Sequence, residues 1–276
     1  MEEQTPNKKI IVILWILAFI ITAFAGYYQR VTGPTYPISG SASFQGKDIF
    51  YKFETSHITD ENCPVTINTT DNKLQGVILW KRFNTNDELT RVEMKNENGV
   101  LSGELPKQPP AGKLQYFVRI ISNNTEVNIP KDNPIVIRFK GDIPFIILMI
   151  HVLLMFSAML LSTRTGIEAI RKTPDYKKLA FWTLGLLTLG GLVLGPIVQH
   201  YAFGQYWTGI PFGFDLTDNK TLIAWIVWII AIVMLFKSKN PKYWVIGAAL
   251  VTLVVFLIPH SLMGSEINYS KMYLVN

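Results

Sequence analysis

The chain has 276 residues, 49% of them hydrophobic and only 17% charged, a balance outside the usual range of a soluble domain. Its 26 Lys and Arg against 20 Asp and Glu leave a net charge of +6, but the surplus sits in short segments beside apolar runs. That placement argues against nucleic-acid binding and for membrane orientation, and a single cysteine, Cys63, excludes an intrachain disulfide framework.

Residues 1–9 end in Lys8-Lys9 and lead into an apolar run over 10–28. The run is long for a signal-peptide core, and no small-x-small site closes it convincingly. It therefore predicts a retained signal anchor, transmembrane helix 1, with its N-terminus in the cytoplasm.

Residues 33–140 change character and predict an extracytoplasmic β-sandwich domain. Gly76-Val77-Ile78-Leu79-Trp80 is strand-like, Val92 and Met94 alternate with polar residues, and Asn98-Gly99 is a strong hairpin turn before Val100-Leu101. In Lys113–Ile120, Leu114, Tyr116, Val118 and Ile120 fall on one face at period two. Pro109-Pro110-Ala111-Gly112 forms a tight entry to that strand. About seven short strands in this length follow the pattern of an immunoglobulin-like sandwich. Cys63 is expected in the core and His57 in a solvated loop. No catalytic constellation emerges, and a domain outside the cytoplasm without disulfides fits a bacterial envelope.

Residues 143–260 predict a four-helix transmembrane bundle with spans at 143–162, 179–199, 221–236 and 243–259, giving an α+β membrane protein with five spans. Arg164, Arg171, Lys172, Lys177 and Lys178 lie between the second and third spans, and Lys237, Lys239 and Lys242 between the fourth and fifth. On the opposite side the 200–220 loop carries only Lys220 and the C-terminal tail only Lys271. Positive-inside bias thus places the β domain, the 200–220 loop and the 261–276 tail outside the cytoplasm, and the protein in the plasma (inner) membrane.

The unusual polar residues gather at the outer ends of the spans. His151 lies about 12 Å into its span at 1.5 Å per residue, His200 closes the third span and His260 the fifth. An ionisable group inside a span usually faces the bundle interior. Convergence of these three imidazoles, with Asp215, would make a transition-metal or haem site. The alternative is one hydrogen-bonded buried histidine and two interfacial ones. The 200–220 loop, rich in aromatics and with three glycines, predicts a folded cap over the outer mouth of the bundle. In it Tyr201, Gln205 and Trp207 are further candidates for a site. Asp218 is placed to cap the next helix, which leaves Asp215 as the carboxylate for a buried role. Glu266 is placed to pair with a histidine or Lys220. Ser261 beside His260 lacks any nucleophile motif. Gly191 and Gly195 predict close helix packing, and Pro196 a bend.

Two functions are therefore open: a non-catalytic envelope component that docks a protein partner through its external domain, or a metal- or haem-binding protein handling electrons or metal at the outer face. The lipid bilayer is a partner in both.

Overall fold

A computed structural model of the chain describes residues 8–260 except 124 and 172, together with 262, 264, 266, 267 and 269. It separates into two compact units. A helical unit takes the chain up to Pro34, Ile143–Tyr201 and Gln205–Gly264; a β unit takes Thr35–Asp142, Ala202–Gly204 and the described residues beyond 264.

The β unit begins with a separate hairpin of β1 (Ile38–Phe44) and β2 (Lys47–Phe53), paired antiparallel through a turn in which Gln45 and Gly46 both have positive φ. The other strands are β3 (Ser56–Ile58), β4 (Cys63–Asn68), β5 (Gln75–Arg82), β6 (Thr90–Glu97), β7 (Val100–Leu105), β8 (Lys113–Ser122), β9 (Thr125–Ile129) and β10 (Ile135–Lys140). They form one sheet in the order β3-β10-β8-β5-β6-β7-β4, with β9 on β8. All pairings are antiparallel except β3 with β10. The two end strands, β3 and β4, are consecutive in the chain, so the sheet nearly closes on itself. The sandwich pattern anticipated two facing sheets; the hydrogen bonding links all eight strands into one.

Period-two burial builds the core. Leu114, Tyr116, Val118 and Ile120 of β8 point inward as expected, against Cys63, Val65 and Ile67 of β4 and Ile135, Ile137 and Phe139 of β10. Burial, reinforced by the charges of Glu54 and Glu61, pushes the Cys63 thiol up to about 11, so it serves the core as a small apolar group. Asn98 and Gly99, both at positive φ, turn β6 into β7 as expected. A Cβ on Gly99 would fall 2.8 Å from the Thr70 Cα, so only glycine fits. His57 is not a solvated loop histidine: it sits in β3, edge-on to Phe139, with Nε2 3.8 Å from Glu61.

The helical unit contains α1 (Lys8–Val31), α2 (Phe145–Ala169), a third apolar helix over Lys177–Phe203, α5 (Leu216–Lys237) and α6 (Pro241–Leu257). The third is composite: α3 (Lys177–Leu187), a π-helical segment Thr188–Leu194, and α4 (Gly195–Phe203). The first four are long and apolar enough to cross a membrane, which marks a membrane protein; α6, with 17 residues, is apolar but shorter. The expected bend near Pro196 takes the form of the π segment just before it. Proline has no N–H for the Leu192 carbonyl and its ring crowds that turn, and Gly195 N–H instead reaches Gly190 O.

Close packing in this helix uses Gly190 and Gly191 rather than Gly191 and Gly195. A Cβ on Gly191 would sit 2.6 Å from the Thr221 methyl of α5, whereas one on Gly195 meets nothing nearer than 3.6 Å. α2 runs seven residues beyond the expected end at 162, and almost every residue from Ser162 to Ala169 is buried.

Candidate functional site

The polar residues singled out by the sequence hold the fold in different ways. Asp215, not Asp218, is the N-cap of α5: its Oδ1 accepts from Thr217 N–H at 2.8 Å. Asp218 is the buried carboxylate, in the first turn of α5. Its Oδ2 accepts from Thr208 N–H at 2.7 Å, Gly209 N–H at 3.0 Å and the Thr208 hydroxyl at 3.2 Å. The next residue, Asn219, accepts from Ile210 N–H at 2.8 Å. Gly209 is required at this close approach, since a Cβ there would lie 2.6 Å from the Asp218 Cβ. Inside the loop, Asp215 N–H donates to Thr208 O, and Phe212 and Gly213 N–H both donate to Gly209 O. Trp207 closes the same turn by donating from Nε1 to Ile210 O, and Gln199 donates to the Thr208 hydroxyl at 2.6 Å. The loop is therefore knotted to the flank of α5's first turn.

The cap expected to cover the bundle takes a different form: Ile210, Phe212 and Phe214 are exposed, the last two at 82% and 84%. Tyr201 and Gln205 are exposed as well. His200 stacks on Tyr206 with ring centroids 4.1 Å apart and planes within 2°.

His151 uses Nδ1 on the carbonyl of Gly190 at 3.0 Å, an oxygen in the π segment. Lys220, buried in α5, donates to the Ile258 carbonyl past the end of α6 at 2.7 Å, and Gln29 of α1 donates to Phe256 O at 2.6 Å and Ile258 O at 3.2 Å. A lysine ammonium and an amide thus satisfy the carbonyls that a helix C-terminus leaves without partners. His260 follows in the turn after α6. Among the described residues no three His, Cys, Asp or Glu side chains form a group that could hold a metal ion. Ser261 lies outside the described residues. Glu266 meets neither a histidine nor Lys220; in the β unit it pairs with Lys113 at 2.8 Å and accepts from Asn84 at 3.2 Å.

The opposite end of the helices holds a cluster that sequence reasoning missed. Arg164 and Glu168, four apart on α2 and 3% and 2% exposed, form an ion pair of 2.6 Å. Glu168 also binds Arg171 and accepts from Asp175 N–H at 3.2 Å in the connection to α3. The guanidinium lies 5.4 Å from the Trp15 ring of α1, while its Nε and Nη1 are buried without a hydrogen-bond partner among the described residues. Arg164 had the look of a loop charge flanking a span. The signal that could have found the cluster is the i,i+4 Arg–Glu spacing in a helix that carries on past its apolar run.

Comparison with protein-family models and with curated proteins finds no match.

On the β unit one further feature bears on binding. Among the described residues β1 pairs only with β2, and β9 only with β8. A groove of about 620 Å³ runs between them, lined by Ile38, Ser41, Tyr51, Val127 and Pro130 to Pro134. Ser39, Ser41 and Ser43 are exposed along β1, and Phe50 of β2 is 73% exposed.

Proposed function

We propose that this protein is a non-catalytic integral membrane component of a bacterial envelope, with its N-terminus in the cytoplasm and its β domain outside, where the domain docks a protein partner. The observation that carries the docking role is the groove between two unpaired strand edges. Sheet edges exposed to solvent are normally blunted by lysine, proline or a covering segment. β1 reads Ile-Ser-Gly-Ser-Ala-Ser-Phe, without charge or proline. Such an edge suits an extended segment of another chain, added as a strand, with main-chain hydrogen bonds giving affinity and side-chain contacts giving selectivity. In this reading the nearly closed sheet has the docking role expected of an immunoglobulin-like domain. The polar residues of the helical unit favour the same class, because Asp218, Lys220 and His151 are each engaged by backbone groups in holding helix ends and loops together.

Hydrogen exchange tests this directly. In native membranes the β1 amides are expected to exchange more slowly than in purified protein, and Ser41→Lys, which places a charge on the edge, should remove the difference without altering the sheet core. Equal β1 exchange in the two settings would overturn the docking role.

A further inference from the structure

The loop between α4 and α5 displays three apolar side chains that the protein does not cover, and their position says what does. The loop backbone is fixed by the bonds from Asp218 and Asn219, so Ile210, Phe212 and Phe214 are held outward by a built structure. Direction comes from α5. Ile223, Ile226, Ile230 and Val233 recur at three- and four-residue spacing and are exposed, the stripe that this apolar helix turns away from the bundle. Asn219 stands four residues before Ile223 and therefore lies on the same stripe, one turn nearer the helix start. Since Asn219 grips Ile210, the apolar edge of the loop continues that stripe beyond the helix.

Level comes from the same geometry. Asn219 is about 6 Å along the axis from Ile223 at 1.5 Å per residue, so where the stripe from Ile223 onward lies in hydrocarbon, the loop lies at the headgroup boundary. Aromatic rings are enriched at that depth, and loop tips that enter it bury their apolar faces in the acyl boundary.

We infer that the 204–215 loop is a bilayer-interface anchor whose Phe212 and Phe214, with Ile210, insert into the lipid leaflet beside the start of α5. The partner is lipid rather than protein, because the patch is continuous with a face that a membrane helix turns to lipid. The inference rests on α5 spanning a bilayer, which the proposed function shares.

The test places an environment-sensitive fluorophore on Phe212→Cys, and separately on Phe214→Cys, in the full chain in phosphatidylcholine–phosphatidylglycerol nanodiscs. Unsubstituted protein, whose Cys63 is buried, provides the background. Ile226→Cys in mid-helix and Asn98→Cys in the β6–β7 turn are controls. Emission from position 212 should be shifted to the blue relative to position 98. Nitroxide lipids labelled near the headgroup should quench it at least twofold more than lipids labelled deep in the chain, with little quenching by aqueous iodide. Iodide quenching equal to that at position 98 would overturn the anchor. Protection from both iodide and nitroxide lipids would overturn it too, by showing protein rather than lipid over the rings. Position 226 must be quenched by the deep label in either case; if it is not, the membrane span itself fails, and that result is distinct from failure of the anchor.

Discussion

Two aspartates three residues apart have distinct parts, and the difference can be measured. One oxygen of Asp218 takes three donors, two of them backbone N–H groups held close to the helix. Asp218→Ala leaves those donors without an acceptor and should cost roughly 2–4 kcal/mol, whereas Asp218→Asn, which can keep an oxygen in the same place, should cost about 1 kcal/mol. Asp215→Ala removes the cap bond to Thr217 N–H and should cost about 1 kcal/mol. Thermal unfolding in detergent gives the order. If the Asp215 variant proves the weaker protein, the assignment of the two roles is wrong. The sequence offered the carboxylates but reversed their roles. It shows a polar Thr-Asp-Asn-Lys ahead of an apolar run, and the natural reading starts the helix after them. The helix in fact starts at Leu216, so its first turn is polar and the preceding Asp is the cap. The donors that engage Asp218 are main-chain groups of a folded loop, and no residue letter announces them. The same holds for His151, whose partner is a carbonyl of the π segment.

At the scale of the element, α2 extends well past its apolar run. The expected end at Ser162 came from hydropathy, which measures what a bilayer tolerates and not where a helix stops. Its last turns are buried against protein, so Arg164 and Glu168 sit inside the unit where a flanking charge would be solvated. A buried ion pair gains little over well-packed apolar groups, yet losing one member strands the other. Glu168→Ala should therefore cost about 3–5 kcal/mol and loosen the connection to α3, because Asp175 N–H and Arg171 lose their acceptor as well. The double change Arg164→Met with Glu168→Leu should recover most of that loss. Unfolding midpoints of the two variants in nanodiscs decide the matter. If the double variant is no more stable than the single, the cluster has an essential part that an apolar core cannot replace. Strand positions in the β unit were far more legible, since period-two burial in β8 and the Asn98-Gly99 turn are local signals. How the strands join was not, because the pairing of β3 with β10 and the free edge of β1 depend on residues about eighty apart.

For the whole molecule, composition suggests an apolar helical part and a β part; in the structure the β unit also takes Ala202–Gly204 of the expected cap loop and the described residues beyond 264 of the expected tail. The distribution of charge predicts which side of the membrane each part faces, and one labelling experiment tests that prediction. Cys63 makes the experiment convenient: buried in the sheet core, its thiol pushed up to about 11, it carries almost no thiolate at pH 7.5 and should take no maleimide in the folded chain. Each introduced cysteine can then be read against the native chain without removing Cys63. Asn98→Cys, in the β6–β7 turn, should react with a membrane-impermeant maleimide on intact spheroplasts. Lys239→Cys, in the basic connection between α5 and α6, should react only after the membrane is opened. The opposite pattern would invert the orientation, and with it the docking groove and the aromatic loop would face the cytoplasm. Reaction of both in intact spheroplasts would break the link between the basic connections and the cytoplasm. With the expected pattern, the exposed edge of β1 and the Phe212–Phe214 loop both lie outside the cytoplasm, where a strand-adding partner would find a domain tethered by α1 and α2 and a loop seated in the outer leaflet.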